Sequence, residues 1–148
     1  MSSVANVSFE TTLLVRDTCL CLHMQRAARR LARRFDEALR PVGLTNGQFS
    51  LMMSLNRPQP ASRSSVAALL ALDSSTLTAA LKPLERRGLV QITSDPTDRR
   101  NKRLALTAEG REVLAAAVSI WKSTHLQVES QLKNSDPSRL RQDLQDLA

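Results

Sequence analysis

The chain has 148 residues, a formal net charge of +7, four glycines, six prolines and no tyrosine. That length suits one domain around one core, and the low glycine and proline content excludes a collagen-like or low-complexity chain. The clustered positive charge favours a polyanionic partner, and no apolar run approaches the roughly 18 residues of a membrane span.

The start, Met1-Ser-Ser-Val-Ala-Asn, lacks a basic segment followed by an apolar one, so no secretion signal is expected and the cytoplasm is the expected compartment. From about Phe9 to Arg40 the pattern predicts one long helix. Leu20, Met24, Ala28, Leu31, Ala32, Phe35 and Leu39 recur at three- and four-residue steps, and Pro41 and Gly43 end the run. Arg26, Arg29, Arg30, Arg33 and Arg34 crowd its middle, either as a solvated face or as an anion contact. The two cysteines, Cys19 and Cys21, show neither C-x-x-C nor zinc spacing, which excludes a disulfide framework. On a continuous helix they point to nearly opposite faces and cannot bridge within one chain.

Thr45-Asn-Gly-Gln48 fits a capping box, opening a helix over Gln48–Leu55 with Phe49, Met52, Met53 and Leu55 toward a core. After the loop Asn56-Arg-Pro-Gln-Pro60, Ser64 or Ser65 is expected to cap a short helix, Val66–Leu70. Asp73 is placed to cap the next helix, Ser74–Arg87, whose Leu77, Leu81 and Leu84 form one apolar stripe. Pro83 predicts a kink within it, and Gly88 its left-handed end. Two β-prone pieces, Val90–Thr93 and Arg103–Leu106, flank a polar tip. Arg99, Arg100, Lys102 and Arg103 there stand against Asp98, so a hairpin with a cationic tip is predicted. Thr107 can cap a long helix, Ala108–Leu132, carrying Trp121 as a core residue. Asp136-Pro137 opens a last helix with Leu140, Leu144 and Leu147 on one face.

A short helix, a capped second helix and a basic hairpin, in that order, form the pattern of a winged helix-turn-helix. Such a unit lays a helix in the DNA major groove with a basic finger beside it. The expected fold is mainly α with a small β-hairpin wing (α+β). The expected organisation is a single domain over 1–148, with a winged lobe at 45–107. The helical segments 9–40 and 108–148 form a dimerisation lobe, because their apolar stripes lack a partner sheet and can cover each other across a two-fold axis.

The run Asp95-Pro-Thr-Asp-Arg-Arg100, the run Leu104-Ala-Leu-Thr-Ala-Glu-Gly110 and Leu84-Glu-Arg-Arg-Gly-Leu-Val90 before them closely resemble the multiple antibiotic resistance regulator (MarR) family. The resemblance covers nearly the whole chain, including the Gly43-Leu-Thr45 entry to a helix. It implies a homodimeric repressor of double-stranded DNA with a pseudo-palindromic operator. It also implies a small organic effector, bound between a DNA-binding lobe and a dimerisation lobe. Carried over by position, the wing acid and the minor-groove arginine fall on Asp98 and Arg100. The groove-reading positions fall on Ser74, Ser75, Thr76 and Thr78, and a phosphate contact on Lys82. Cys21 aligns with the sensing cysteine of the organic hydroperoxide branch. The two tyrosines that hold the thiolate there are replaced by Gln25 and Phe35, which argues against peroxide sensing and leaves Cys21 as packing or sensor. His23 is either a packing residue or a ligand contact, and Phe35 is a further ligand candidate.

An enzyme would need a nucleophile–base pair, paired carboxylates or a Gly-rich phosphate loop, and none is legible, so no enzymatic activity is expected. A winged module that binds protein would favour a neutral or acidic wing, and this one is basic. His23 and His125 make a poor metal set, so neither metal nor cofactor is expected.

Overall fold

The computed structural model describes residues 5–148, and the reading of the N-terminal start falls mainly outside them. The chain divides into two compact units, residues 1–34 and 35–148.

In the first unit, α1 spans Phe9–Thr18 and α2 begins at Leu20, running to Leu39. The single helix expected from Phe9 to Arg40 is therefore broken. Cys19 is extended (φ −70°, ψ 108°) and serves both sides of the break. Its amide donates to Val15 O at 3.0 Å, closing α1, and its carbonyl accepts from His23 N at 3.1 Å, opening α2. Its Sγ accepts the Leu22 amide at 3.4 Å, in the manner of a weak helix cap. Thr18 Oγ1 turns back onto Leu14 O at 2.6 Å, a bond that competes with the helix ladder. Because Cys19 is not helical, the premise that it and Cys21 lie on opposite faces of one helix does not hold. Among the described residues of this unit none is buried, and Phe9, Leu14, Val15 and Leu20 are exposed.

The second unit holds the core. After α2 a short 3-10 turn, Arg40–Val42, ends at Gly43 in the left-handed region (φ 68°). α3, Asn46–Ser54, carries the full Thr45/Gln48 capping box and starts two residues before the expected Gln48. Phe49, Leu51, Met52 and Leu55 are buried, whereas Met53, expected in the core, is exposed. The cap of α4, Arg63–Leu70, is Ser62 and not Ser64 or Ser65; its hydroxyl accepts the Ser65 amide at 3.2 Å. Ser62 also belongs to a strand, β1 (Ala61–Ser62), too short to leave a sequence pattern. β1 pairs antiparallel with β3, Lys102–Leu106, which pairs with β2, Val90–Ser94, so the hairpin is part of a three-stranded sheet.

α5, Ser74–Arg86, runs helically through Pro83 and buries Leu77, Leu81 and Leu84. Each fully buried leucine contributes roughly 1.5–3 kcal/mol. α6, Ala108–Ser130, is capped by Thr107, and α7, Pro137–Asp146, by Asp136, both as expected. Thr107 also binds back, its Oγ1 donating to Gly88 O at 2.6 Å. α7 buries nothing, so its leucine stripe faces away from this chain's core. Arg141 Nη1 of α7 pairs with Glu129 Oε1 of α6 at 3.1 Å. Among the described residues no single helix is long and apolar enough to cross a membrane.

Candidate nucleic-acid interface

Asp73 fixes the start of α5. Its Oδ1 accepts the Thr76 amide at 2.7 Å and the Ser75 hydroxyl at 2.8 Å. These bonds, the Thr76 amide first, hold the Asp73 carboxyl below its ordinary value. Thr78 Oγ1 donates to Ser74 O at 2.9 Å. With their hydrogens engaged, Ser75 and Thr78 are left with acceptor lone pairs. Such acceptors match the exocyclic amino donors of cytosine and adenine in the major groove. Ser74, Ser75, Thr76 and Lys82 are exposed and Thr78 is half-buried, on a helix whose opposite stripe is locked in the core.

The wing is organised by an acid. Asp95 is 6% exposed. Its Oδ1 accepts from the Thr97 amide at 2.9 Å and the Thr97 hydroxyl at 2.8 Å. Its Oδ2 accepts from Arg103 Nη2 at 2.8 Å and Nε at 3.1 Å. The Thr97 bonds, then Arg103, lower its pKa to about 2. Arg103 thus spends its guanidinium fork inside the wing. Lys102 Nζ donates to Ser94 Oγ at 3.1 Å across the two strands. At the tip, Asp98 Oδ1 accepts the Arg100 amide at 3.0 Å, an Asx-type turn. Arg99 and Arg100 are exposed there. Ser74 at the start of α5 and Arg100 and Asn101 of the wing line one hollow, so the hydroxyl-bearing end of α5 and the cationic tip share an edge.

Elsewhere in this unit two cavities share a wall. The larger, about 580 Å³, is lined by apolar side chains including Phe49, Met53, Leu69, Val118 and Trp121, with Lys122 as its cation. The smaller, about 230 Å³, is lined by Phe35, Leu39, Asn46, Phe49, Ser50, Trp121 and His125. Trp121 stacks on Phe49 (centroids 6.2 Å) and on His125 (4.5 Å). It is half-buried between cavities and not sealed in the core as expected.

Comparison with known proteins fits this geometry. A model of the MarR family matches residues 44–102, the stretch from the α3 cap to the wing. The transcriptional regulator MosR of M. tuberculosis, solved in complex with DNA, is 38% identical with a TM-score of 0.80. The match covers 87% of this chain and 92% of that one. The chain belongs to the MarR family. CouR of Rhodococcus jostii, solved bound to p-coumaroyl-CoA, is 28% identical (TM-score 0.76), covering 88% of this chain and 92% of its own. The regulator SarZ of Staphylococcus saprophyticus is 28% identical over 94 residues. That match spans 64% of this chain and 64% of SarZ. These are winged-helix regulators of transcription, not enzymes.

In this MarR-family chain the sequence-derived positions fall into distinct groups. Ser74, Ser75, Thr76, Thr78 and Lys82 lie on α5, and Asp98, Arg99, Arg100, Lys102 and Arg103 on the wing. Cys21 and His23 belong to the first unit and Phe35 to the second. Cys21 is exposed, with Gln25 Nε2 donating to its Sγ at 3.5 Å. His23 Nδ1 lies 2.8 Å from Cys19 O, beside the helix break. Asp95 and Lys122 were missed. Asp95 had a legible signal, because Asp-Pro-Thr is an Asx-turn sequence and an arginine follows eight residues on in the facing strand. Lys122 had none, since nothing in its neighbours marks a cavity mouth.

Proposed function

We propose that this chain is a homodimeric repressor that binds a pseudo-palindromic operator in double-stranded DNA and leaves it when a small organic ligand binds. The observation that carries the reading is the shared edge of α5 and the wing. Exposed hydroxyls stand on a core-locked helix, beside a tip whose Arg99 and Arg100 are uncommitted to the Asp95 hub. The five positions on α5 read or hold the major groove, and Arg100 enters the minor groove. Two copies place two such helices in successive grooves, about 34 Å apart. α1, which buries no residue within its unit, and the apolar face of α7, which buries none within its own, support the dimer. Footprinting with the full-length protein on DNA selected from a random pool tests this. A protected pseudo-palindrome of one to two helical turns is expected, and a monomer without sequence preference would overturn it.

The ligand reading rests on the 580 Å³ apolar cavity with Lys122, a size and lining suited to an aromatic or acyl anion. Asn46 and His125 in the adjoining cavity offer further polar contacts. The ligand must bind the DNA-incompetent form more tightly than the competent one, or it shifts nothing. A thiol switch at Cys21 is the second reading, favoured by its exposure and by the break in the helix at Cys19. Organic hydroperoxide added to the protein–DNA complex separates the two readings. Release of the wild type but not of Cys21→Ser identifies a sensor cysteine, and retention of both supports the organic ligand.

A further inference from the structure

Between the helix-turn-helix and the wing lies a hollow of about 380 Å³, lined by Arg63, Ser64, Ala67, Ser74, Arg100 and Asn101. The lining carries two arginines, two serines and no carboxylate. Arg63 and Ser64 open α4 and Ser74 opens α5, so the positive ends of two helices stand at its wall. Asp73, the cap of α5, commits its Oδ1 to Thr76 and Ser75. Arg63 is half-buried, and its Nε is fully buried with no hydrogen-bond partner among the described residues. A buried donor on a charged group is costly to leave unpaired, and the terminal nitrogens of the same guanidinium are the donors an acceptor in the hollow could reach.

We propose that this hollow seats one backbone phosphate of the DNA duplex, held by Arg63 between α5 and the wing. The proposal rests on the DNA-binding reading above. Any duplex lying along the edge shared by Ser74 and Arg100 carries its backbone past the hollow. A guanidinium fork matches the oxygens of a phosphodiester better than a point charge does. Ser64 and Ser74 supply hydroxyl donors from the two helices. Such a contact carries no base information; it fixes where the duplex sits relative to the recognition helix and the wing tip. Arg63 is thus a positioning residue whose loss weakens all sequences alike.

The test uses full-length protein and a labelled duplex selected from a random pool by the wild type. Arg63→Gln should weaken binding by about tenfold, equally for the selected duplex and its point variants. Its log K against log salt should flatten by about 0.9 per seat lost. Arg63→Lys should keep the wild-type slope but not the full affinity, because it restores charge without the fork. Among the positions at which methylphosphonate substitution weakens the wild type, one per half-site should leave Arg63→Gln unaffected. If Arg63→Gln does not fold, the Arg63→Lys slope and the methylphosphonate scan on wild type decide. Wild-type affinity and slope in Arg63→Gln would overturn the seat while leaving DNA binding intact. Failure of the wild type to select any duplex would overturn the DNA-binding reading itself. Inorganic phosphate at fixed ionic strength is the control. Easier displacement from wild type together with undiminished DNA affinity in Arg63→Gln would mark a free-anion site and overturn the assignment to DNA.

Discussion

Gly110, in the first turn of α6, is buried against the Leu89 carbonyl at the start of the wing. A Cβ there would fall inside the van der Waals distance of that carbonyl, with backbone and not a flexible side chain in the way. Gly110→Ala should therefore cost about 1–3 kcal/mol in urea unfolding, the range of core overpacking. Gly47→Ala, exposed in the first turn of α3 with only the Thr45 hydroxyl near, should leave stability unchanged or slightly raised. Asp95 makes a second prediction. Its pKa is lowered from 3.8 to about 2, by the Thr97 bonds first and Arg103 after them. A lowered acid contributes stability that is complete above its ordinary value and is lost as pH falls through the folded one. The Thr97 amide resonance should keep its native position at pH 4 and titrate with a midpoint at about pH 2. In Asp95→Asn it should sit at a new position and show no such transition; an identical titration in the variant would assign the effect to another group.

The helices whose ends are set by side-chain oxygens were the most legible elements. Thr45, Asp73, Thr107 and Asp136 each accept a first-turn amide, as their sequence positions foretold. The break at Cys19 was not legible, because a sulfur cap and a threonine back-bond leave no Gly or Pro signal. β1 was hidden by its two-residue length, and its pairing moved the α4 cap to Ser62. The turn between α4 and α5 holds Ala71 in the left-handed region (φ 53°, ψ 42°). An L-residue there is strained by roughly 1–2 kcal/mol. Part of that returns as the unfolded-state entropy of glycine, so Ala71→Gly should raise stability by up to about 1 kcal/mol. Calorimetry should show a midpoint a few degrees higher, and a lower one would mean the turn differs from its φ. For the wing, Arg100→Ala should weaken DNA binding more than Arg26→Ala. Arg100 stands at the exposed tip beside the start of α5, and Arg26 on α2 in the other unit. Equal losses in a titration by fluorescence anisotropy would remove the wing from the interface.

At the scale of the whole molecule, the chain leaves apolar surface that one copy does not cover. Residues 5–34 contain no buried side chain, and Phe9 is 74% and Leu20 66% exposed. At the other end Leu144 of α7 and its C-cap Leu147 are 43% and 62% exposed. The exposed Arg141–Glu129 pair that ties α7 to α6 is worth at most about 1 kcal/mol. Short helices bearing apolar stripes are marginal by themselves in water, so these must gain their stability by packing. In the proposed dimer a second copy would supply the same stripes by symmetry, and a two-fold axis suits a pseudo-palindrome. Joining two DNA-binding lobes makes the second contact intramolecular, which raises affinity without any new side chain. The double variant Leu144→Asp, Leu147→Asp should therefore do two things at once. Sedimentation equilibrium should shift from dimer toward monomer, because the substitutions bury charge in the proposed interface. Operator affinity should fall on the order of a hundredfold, through loss of the second lobe and not through damage to α5 or the wing. Far-UV circular dichroism should retain most of its helical signal, since the core from Leu39 to Ala117 involves neither leucine. A variant that remains a dimer with full affinity would show that α7 lies outside the interface.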